Sequence, residues 1–138
     1  HINIMRETRE MGPVAFFEDD VVLEDGFASV FEAAWNELPE DWEALYLGGY
    51  NKTEPEAVGE NLGIINHTLS THAYIMTRKA REFVLNSFDL GQPIDVMYTR
   101  MQKERKWHIT TPRIVFQRPG TSDITGNMED YRDLHRDQ

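Results

Sequence analysis

The stretch Val14-Ala15-Phe16-Phe17-Glu18-Asp19-Asp20 places four apolar residues directly before three acidic ones. Gly12-Pro13 precedes the apolar run and is a typical helix-ending pair, because glycine caps helices and proline cannot continue one. A short apolar run between turn residues and charge is typical of a strand buried on both faces. We therefore predict a buried strand over 14–17 that ends at an acidic triplet, Glu18 to Asp20.

Helical and strand-like patterns alternate on both sides of this strand. Apolar residues at helical spacing predict helices over 2–11, 27–38, 78–88, from Pro93 onward, and weakly over 128–134. Short apolar runs predict strands over 45–47, 64–65, 73–76, 107–110 and 113–116. The polar segment 50–62 has no periodicity, so we expect a mobile loop with a lid or binding role. The interleaved elements predict a single α/β domain, residues 1–138, with a mixed sheet flanked by helices.

Length and charge exclude several classes of function. The chain has 138 residues, enough for one core, and carries 24 acidic and 14 basic residues for a formal charge of −10. Such an acidic chain is repelled by phosphate backbones and anionic lipids, so we expect neither nucleic-acid nor membrane-surface binding. The absence of cysteine excludes disulfides, thiolate metal sites and a cysteine nucleophile. No apolar run reaches the roughly 18 residues that span a bilayer.

The acidic triplet has two interpretations. Three adjacent acids in so acidic a chain are commonly a solvated turn. Three carboxylates at the end of a buried strand also repel one another, which lowers stability unless a cation lies among them. Carboxylate oxygens suit hard cations such as Mg²⁺ or Mn²⁺, which often take only one or two protein ligands beside substrate phosphates. A metal site and a solvated turn both stay open on chemistry alone.

Three other residues have a structural interpretation beside a functional one. His72 enters a predicted strand, where a half-buried histidine bonded to the backbone is the simpler interpretation. Asp95 follows Gln92-Pro93-Ile94 in the first turn of a helix, where a carboxylate complements the helix dipole or serves as an ionised base. Asp123, in Ser122-Asp123-Ile124, is compatible with a plain turn.

Several short segments follow one another along the chain. They are Glu18-Asp19-Asp20-Val21, Leu38-Pro39-Glu40-Asp41-Trp42, Leu45-Tyr46-Leu47-Gly48-Gly49, Thr71-His72-Ala73-Tyr74-Ile75, Gln92-Pro93-Ile94-Asp95, Gln117 and Ser122-Asp123-Ile124. In this order and spacing they resemble glycosyltransferase family 25, the group of lipooligosaccharide and collagen galactosyltransferases. The resemblance covers nearly the whole chain, and even His1-Ile2 looks like the segment before the acidic strand of that family.

The resemblance implies a GT-A-like, Rossmann-type fold and transfer of a hexose, often galactose, from a UDP-sugar with Mn²⁺ or Mg²⁺. It implies inversion at the anomeric carbon, so a base deprotonates the acceptor hydroxyl. By this likeness Asp20 is the best metal ligand, and Glu18 and Asp19 hold the metal or the donor. Asp95 is the expected base, with His72 as the alternative. The remaining assignments are Asp123 and Gln117 for the metal or acceptor shell, and Gly48, Gly49, Thr71 and Gln92 for substrate binding.

Only 17 residues precede Glu18, fewer than the nucleotide-binding segment of such a fold requires. We therefore expect a domain that lacks part of its N-terminal nucleotide-binding half, either as a fragment of a longer chain or as a shortened relative. We also expect an exposed sheet edge that a second copy or a partner chain covers. The expected partners are a UDP-sugar donor and a glycan or glycoprotein acceptor.

Two alternatives to the enzyme stay open. One is a non-catalytic domain of the same fold that binds a glycan or a protein; the other is a simple cation-binding acidic domain. We expect a bacterial or viral cytoplasmic protein. The sequons Asn51-Lys52-Thr53 and Asn66-His67-Thr68 leave a secretory-pathway lumen as the alternative location.

Overall fold

A computed structural model of the protein describes residues 1–89, 91–121 and 128–129. Its helices are α1 Ile2–Glu7, α2 Phe27–Glu37, α3 Arg78–Ser87 and α4 Ile94–Glu104. Its strands are β1 Val14–Phe17, β2 Val21–Leu23, β3 Ala44–Tyr46, β4 Tyr50–Asn51, β5 Glu56–Ala57, β6 Leu62–Ile65, β7 Thr68–Leu69, β8 Ala73–Met76, β9 Trp107–Thr110, β10 Val115–Gln117, β11 Gly120–Thr121 and β12 Met128–Glu129. No helix of the described residues is long and apolar enough to span a membrane.

Six strands form the central sheet, in the order β1-β8-β3-β9-β6-β5. Only β3 and β9 pair in parallel, and the other four pairs are antiparallel. The sheet is therefore mixed and has helices on both faces, which confirms the α/β class predicted from the sequence. The predicted strands 73–76 and 107–110 have the predicted bounds.

Side chains that alternate along the strands divide the core between the two faces of the sheet. In β8, Tyr74 and Met76 lie in the core beneath α1, α3 and α4, whereas Ala73 and Ile75 lie in the core beneath α2. The four helices α1 to α4 therefore each turn an apolar side to the sheet. Thr77 caps α3, because its hydroxyl accepts a hydrogen bond from the amide of Ala80 at 3.3 Å.

A row of aromatic rings crosses four neighbouring strands on the α4 side of the sheet. Phe16 of β1 stacks on Tyr74 of β8 with centroids 4.8 Å apart, and Tyr74 stacks on Tyr46 of β3 at 5.6 Å. Trp107 of β9 continues the row, 6.3 Å from Tyr46. Tyr98 of α4 meets Tyr74 and Trp107 edge-on. Each such pair adds about 0.5–1.5 kcal/mol beyond the burial of apolar area.

The prediction that strand 14–17 is buried on both faces is wrong. Phe16 is buried, but Ala15 and Phe17 are exposed. The physical reason is position: β1 is an edge strand, and the apolar layer around α2 does not extend over its second face within the described residues. The exposed sheet edge expected from the sequence is therefore present, while a partner that covers it stays a prediction.

Three further segments show the larger differences from the predictions, while the other predicted helices and strands differ by at most two residues at an end. The segment 50–62 is not a continuous loop, because it contains β4 and β5 and enters β6, paired through Glu56 and Ile64. The first helix ends at Glu7, four residues before the predicted end. The predicted helix over 128–134 is wrong at its start, since Met128 and Glu129 pair with β11; its remainder lies outside the described residues.

A buried carboxylate joins two helices below the sheet. Glu43 is 7% exposed, and its carboxylate accepts hydrogen bonds from the guanidinium of Arg105. It also forms an ion pair with Lys79, whose Nζ lies 2.9 Å from Glu43 Oε1. Burial raises the pKa of Glu43, but the hydrogen bonds and charges of Arg105 and Lys79 outweigh burial and leave that pKa below its usual range. The ionised form therefore stabilises the fold.

We expect Glu43→Gln to lower the free energy of unfolding at neutral pH by about 2 kcal/mol, because Arg105 loses its counter-charge. Because the pKa of Glu43 is lower in the folded state, its carboxylate stabilises the fold at pH values above the unfolded-state pKa of about 4.3. This stabilisation is lost as the pH falls through the folded-state pKa. The difference between variant and parent should therefore shrink in acid. Urea denaturation across pH measures it, with Glu60→Gln, a substitution at an exposed residue, as control. A difference that persists in acid would contradict this role.

Candidate functional site

Most of the residues that the sequence singled out lie where the strands β1, β3 and β9 of the central sheet end, at what we call its carboxyl edge. β1 and β3 both pair antiparallel with β8, and β3 is parallel to β9, so β1, β3 and β9 point the same way. Their carboxyl ends lie at one edge, where β8 begins. Glu18 follows β1, Gly48 follows β3, and Thr71 and His72 precede β8. In open α/β sheets this is the edge at which ligands bind.

The carboxylate of Glu18 is held from three directions. Thr71 Oγ1 donates to Glu18 Oε1 at 3.2 Å, and His1 Nε2 lies 3.4 Å from the same oxygen. Gln117 Nε2 donates to Glu18 Oε2 at 3.3 Å. The backbone amide of Glu18 donates to the carbonyl of His72 at 2.9 Å, which ties the acidic turn to the start of β8. Glu18 is only partly exposed, so these contacts fix where its charge lies.

The side-chain amide of Gln117 bridges the carboxylates of Glu18 and Asp20. Gln117 Nε2 also donates to Asp20 Oδ2 at 3.3 Å. The other oxygen, Asp20 Oδ1, is buried and has no hydrogen-bond partner within the described residues. A buried acceptor without a donor is costly and commonly marks the place of a bound water or ion. Asp19, between the two, is exposed, and its carbonyl accepts from the guanidinium of Arg118 at 2.9 Å.

Pairing between β2 and β10 brings Gln117 to the acidic triplet. The two strands are antiparallel with Gln117 opposite Val21, the residue that follows Asp20. The amide of Arg118 donates to the carbonyl of Asp20 at 2.8 Å and closes this pairing. A residue nearly one hundred positions later in the chain thus lies beside the triplet, and its part in a metal or acceptor shell stays a prediction.

His72 is fully buried beneath the acidic turn. Its Nε2 lies 3.2 Å from the carbonyl of Val115, which requires a proton on Nε2 if the two are hydrogen-bonded. Burial lowers the pKa of His72. This effect outweighs the hydrogen bond to Val115 and the charges of Glu18 and Asp20, which act to raise that pKa. A neutral imidazole therefore supports the floor of the site, in agreement with the structural interpretation; its role as a base is not tested.

Gly48 and Gly49 are positions of close backbone approach. A Cβ at Gly48 would overlap the carbonyl oxygen of Val115 and the ring of His72, and a Cβ at Gly49 would lie 2.6 Å from Thr68 Cγ2. Just before this segment, the carbonyl of Leu47 accepts hydrogen bonds from the backbone amides of Ile114 and Val115. Packing alone thus accounts for both glycines, and their predicted contact with substrate stays a prediction.

Asp95 and Gln92 lie at the same end of the sheet but apart from the triplet. α4 runs back along the sheet before β9, so its first turn lies near the carboxyl ends of β3 and β9. Burial raises the pKa of Tyr46 well above its usual range, and the charge of nearby Asp95 acts in the same direction. Asp95 Oδ1 accepts from the amide of Val96 at 2.8 Å. No hydrogen bond or ion pair of the described chain joins Asp95 to Glu18 or Asp20.

The ligands for a metal are few in the described residues. Asp123, expected to complete the shell, lies outside them, and no group of three or more His, Cys, Asp or Glu within them is arranged to hold a metal ion. Glu18, Asp20 and Gln117 supply only oxygen ligands once the amide of Gln117 turns its oxygen inward. Such a set fits a hard cation that keeps waters or substrate oxygens as its other ligands.

Sequence reasoning missed the part that His1 and Tyr74 play at this site. His1 Nδ1 lies 2.8 Å from the hydroxyl of Tyr74, while its Nε2 faces Glu18. Tyr74 thereby links the aromatic row to the acidic turn. Its place in an apolar strand predicted only core packing, and no spacing in the sequence relates positions 1, 18 and 74.

The fold and this edge define a mixed α/β protein with an acidic turn at the carboxyl edge of its sheet. No family model matches the sequence, and no curated protein matches it. Among solved structures the chain is similar to the crystal structure of A197 from STIV, with a TM-score of 0.44 and 12% identity over 95% of this chain and 77% of that chain. A similarity this low supports no statement about function.

We expect Gly48→Ala to lower the free energy of unfolding by about 3 kcal/mol, because the added methyl meets backbone that cannot move aside. Gly12→Ala is the matched control, since a Cβ there has nothing within 4 Å. Chemical denaturation of both variants measures the difference. Equal stabilities for the two variants would contradict the packing role and favour substrate contact as the reason for Gly48.

Proposed function

We propose that this protein is a metal-dependent glycosyltransferase that moves a hexose, with galactose as the first candidate, from a UDP-sugar to a hydroxyl of a glycan or protein. The observation that carries the proposal is the pairing of Glu18 and Asp20 at the end of β1, where one buried oxygen of Asp20 has no donor among the residues that the structure describes. The order of segments that resembles glycosyltransferase family 25 supports it, and the mixed α/β fold is compatible with the GT-A-like fold which that resemblance implies.

The chemistry of the acidic turn suits a divalent cation and a diphosphate. Mn²⁺ or Mg²⁺, when bound, supplies positive charge that offsets the charge developing on the departing UDP. Asp20 and Glu18 are the residues that would hold the ion, and Asp19, which is exposed, is our candidate for contact with the donor. Thr71 and Gln117 hold Glu18 in one orientation, and binding of an ion requires the Gln117 amide to turn its oxygen toward it.

The transfer also requires a base for the acceptor. The acceptor oxygen forms a bond to the anomeric carbon as the bond from that carbon to the UDP oxygen breaks, and the acceptor proton passes to a carboxylate. Asp95 is our candidate, because its carboxylate lies in the first turn of α4, at the same end of the sheet as the acidic turn. His72 is the second candidate, although it is fully buried in this conformation.

A non-catalytic domain that binds a glycan or protein is the second candidate function. Two observations favour it: the amide of Gln117 already bridges the two carboxylates, and no contact in the described chain joins Asp95 to them. Turnover distinguishes the two functions, since a binding domain retains ligand affinity without releasing sugar from UDP-galactose.

The test is calorimetric titration of UDP with and without Mn²⁺. We expect the parent to bind UDP only with Mn²⁺, and Asp20→Asn to lose about tenfold or more in affinity, because one charge of the ion site is removed. Asp41→Asn is the matched control, since Asp41 is exposed before β3, at the opposite edge of the sheet.

Two outcomes would contradict the proposal. Equal binding of UDP with and without Mn²⁺ would remove the metal from the function. No binding at millimolar UDP would exclude a working donor site in this chain. If Mn²⁺-dependent binding is present, release of galactose from UDP-galactose separates the enzyme from the binding domain.

A further inference from the structure

A second feature of the same sheet edge is a cavity of about 430 Å³ beside the end of β9. It lies on the other side of the Gly48–Gly49 segment from the acidic turn, and Arg113 connects the two, because its Nη1 donates to the carbonyl of Gly49 at 2.6 Å. The wall combines apolar side chains with hydroxyl and charged ones. The polar part consists of Asn51, Lys52, Glu54, Thr110, Thr111 and Arg113.

The charge of this cavity is opposite to that of the whole chain. Two basic residues, Lys52 and Arg113, and one acidic residue, Glu54, line it, in a protein with 24 acidic and 14 basic residues. Low-dielectric walls concentrate such a local field, so a cavity of this kind attracts anions even on an acidic protein.

The two cations differ in how they are held. Arg113 is 7% exposed; burial lowers the pKa of its guanidinium, which nevertheless stays charged. It supplies a fixed positive charge at the base of the cavity. Lys52 is exposed, and its ammonium lies 4.3 Å from the centroid of the Tyr50 ring. Its flexible stem allows the ammonium to leave the ring and follow a ligand.

Size and lining indicate the class of ligand. A volume of 430 Å³ is at the lower end of the range of small-molecule sites, about the space of one or two sugar rings. Pro55, Ala57 and Pro112 offer an apolar surface, and Thr111 offers a hydroxyl, which suits a molecule with one apolar face and many hydroxyl groups.

We propose that this cavity binds a sugar-sized molecule carrying a carboxylate or phosphate group, with the anionic group between Lys52 and Arg113. The proposal is independent of the transferase function, since it needs neither UDP nor a metal ion. It also gives Lys52 a role, in the polar segment 50–62 for which the sequence predicted a lid or binding role.

The test uses three probes of similar size, without divalent cations: glucose, glucuronate and glucose 6-phosphate. Titration followed by amide NMR reports affinity and location together. We expect at least one anionic probe to bind about tenfold or more tightly than glucose, because only the anions meet the two cations. The perturbed amides should be those of Gly63, Thr110 and Thr111. Preference for glucuronate or for glucose 6-phosphate identifies the carboxylate or the phosphate as the recognised group.

Lys52→Met is the decisive variant, because the side chain is exposed and its loss leaves the core unchanged. We expect it to weaken the anionic probe about fivefold or more, with no change for glucose. Lys103→Met, an exposed lysine in the last turn of α4, is the control and should bind as the parent does. Arg113→Lys retains the buried charge and should retain preference for the anion.

Three results would overturn the proposal. One is equal affinity for glucose and both anions, and another is unchanged binding in Lys52→Met. The third is a set of perturbed amides around Glu18 and Gln117 instead of Gly63, Thr110 and Thr111, which would place the anion at the acidic turn.

Discussion

Stacking of Phe16, Tyr74, Tyr46 and Trp107 across four strands is the interaction on which the arrangement of this protein depends. Phe16 pairs directly with Tyr74, and Tyr74 with Tyr46, so the stacking and the strand register require each other. A shift of one residue in β1 would turn Phe16 to the exposed face and bring Phe17 inward. The aromatic row therefore determines which residue of the apolar run ends the strand at the sheet edge.

The position of the acidic turn follows from that register. Glu18 begins the turn one residue after β1, and its amide bonds to the carbonyl of His72 just outside the paired strands. His1 stacks on Tyr74 at 5.7 Å and on Phe16 at 6.2 Å while its Nε2 faces Glu18. His1 therefore connects the aromatic row to the acidic turn. Its contact with Glu18 holds that carboxylate in place, although neighbouring carboxylates repel it.

Local patterns predicted most elements, because apolar spacing reports directly which side of a helix or strand is buried. The runs at 73–76 and 107–110 were predicted with their bounds for this reason. Burial of β1 was predicted wrongly, since a four-residue apolar run does not show whether it lies at the centre or the edge of a sheet. Placement of Gln117 against Asp20, and of Arg113 at the cavity, depends on pairings between distant segments that no local pattern contains.

The two candidate sites have opposite charge, and the backbone between them explains how they can lie so close. Carboxylates collect where β1 ends, and cations collect beyond β9, with the Gly48–Gly49 segment between. The absence of side chains there lets Val115 and Thr68 approach the backbone and lets the carbonyl of Gly49 accept from Arg113. Larger residues would push the two halves apart. The short distance between the two sites therefore depends on two glycines, because only residues without a side chain allow this approach.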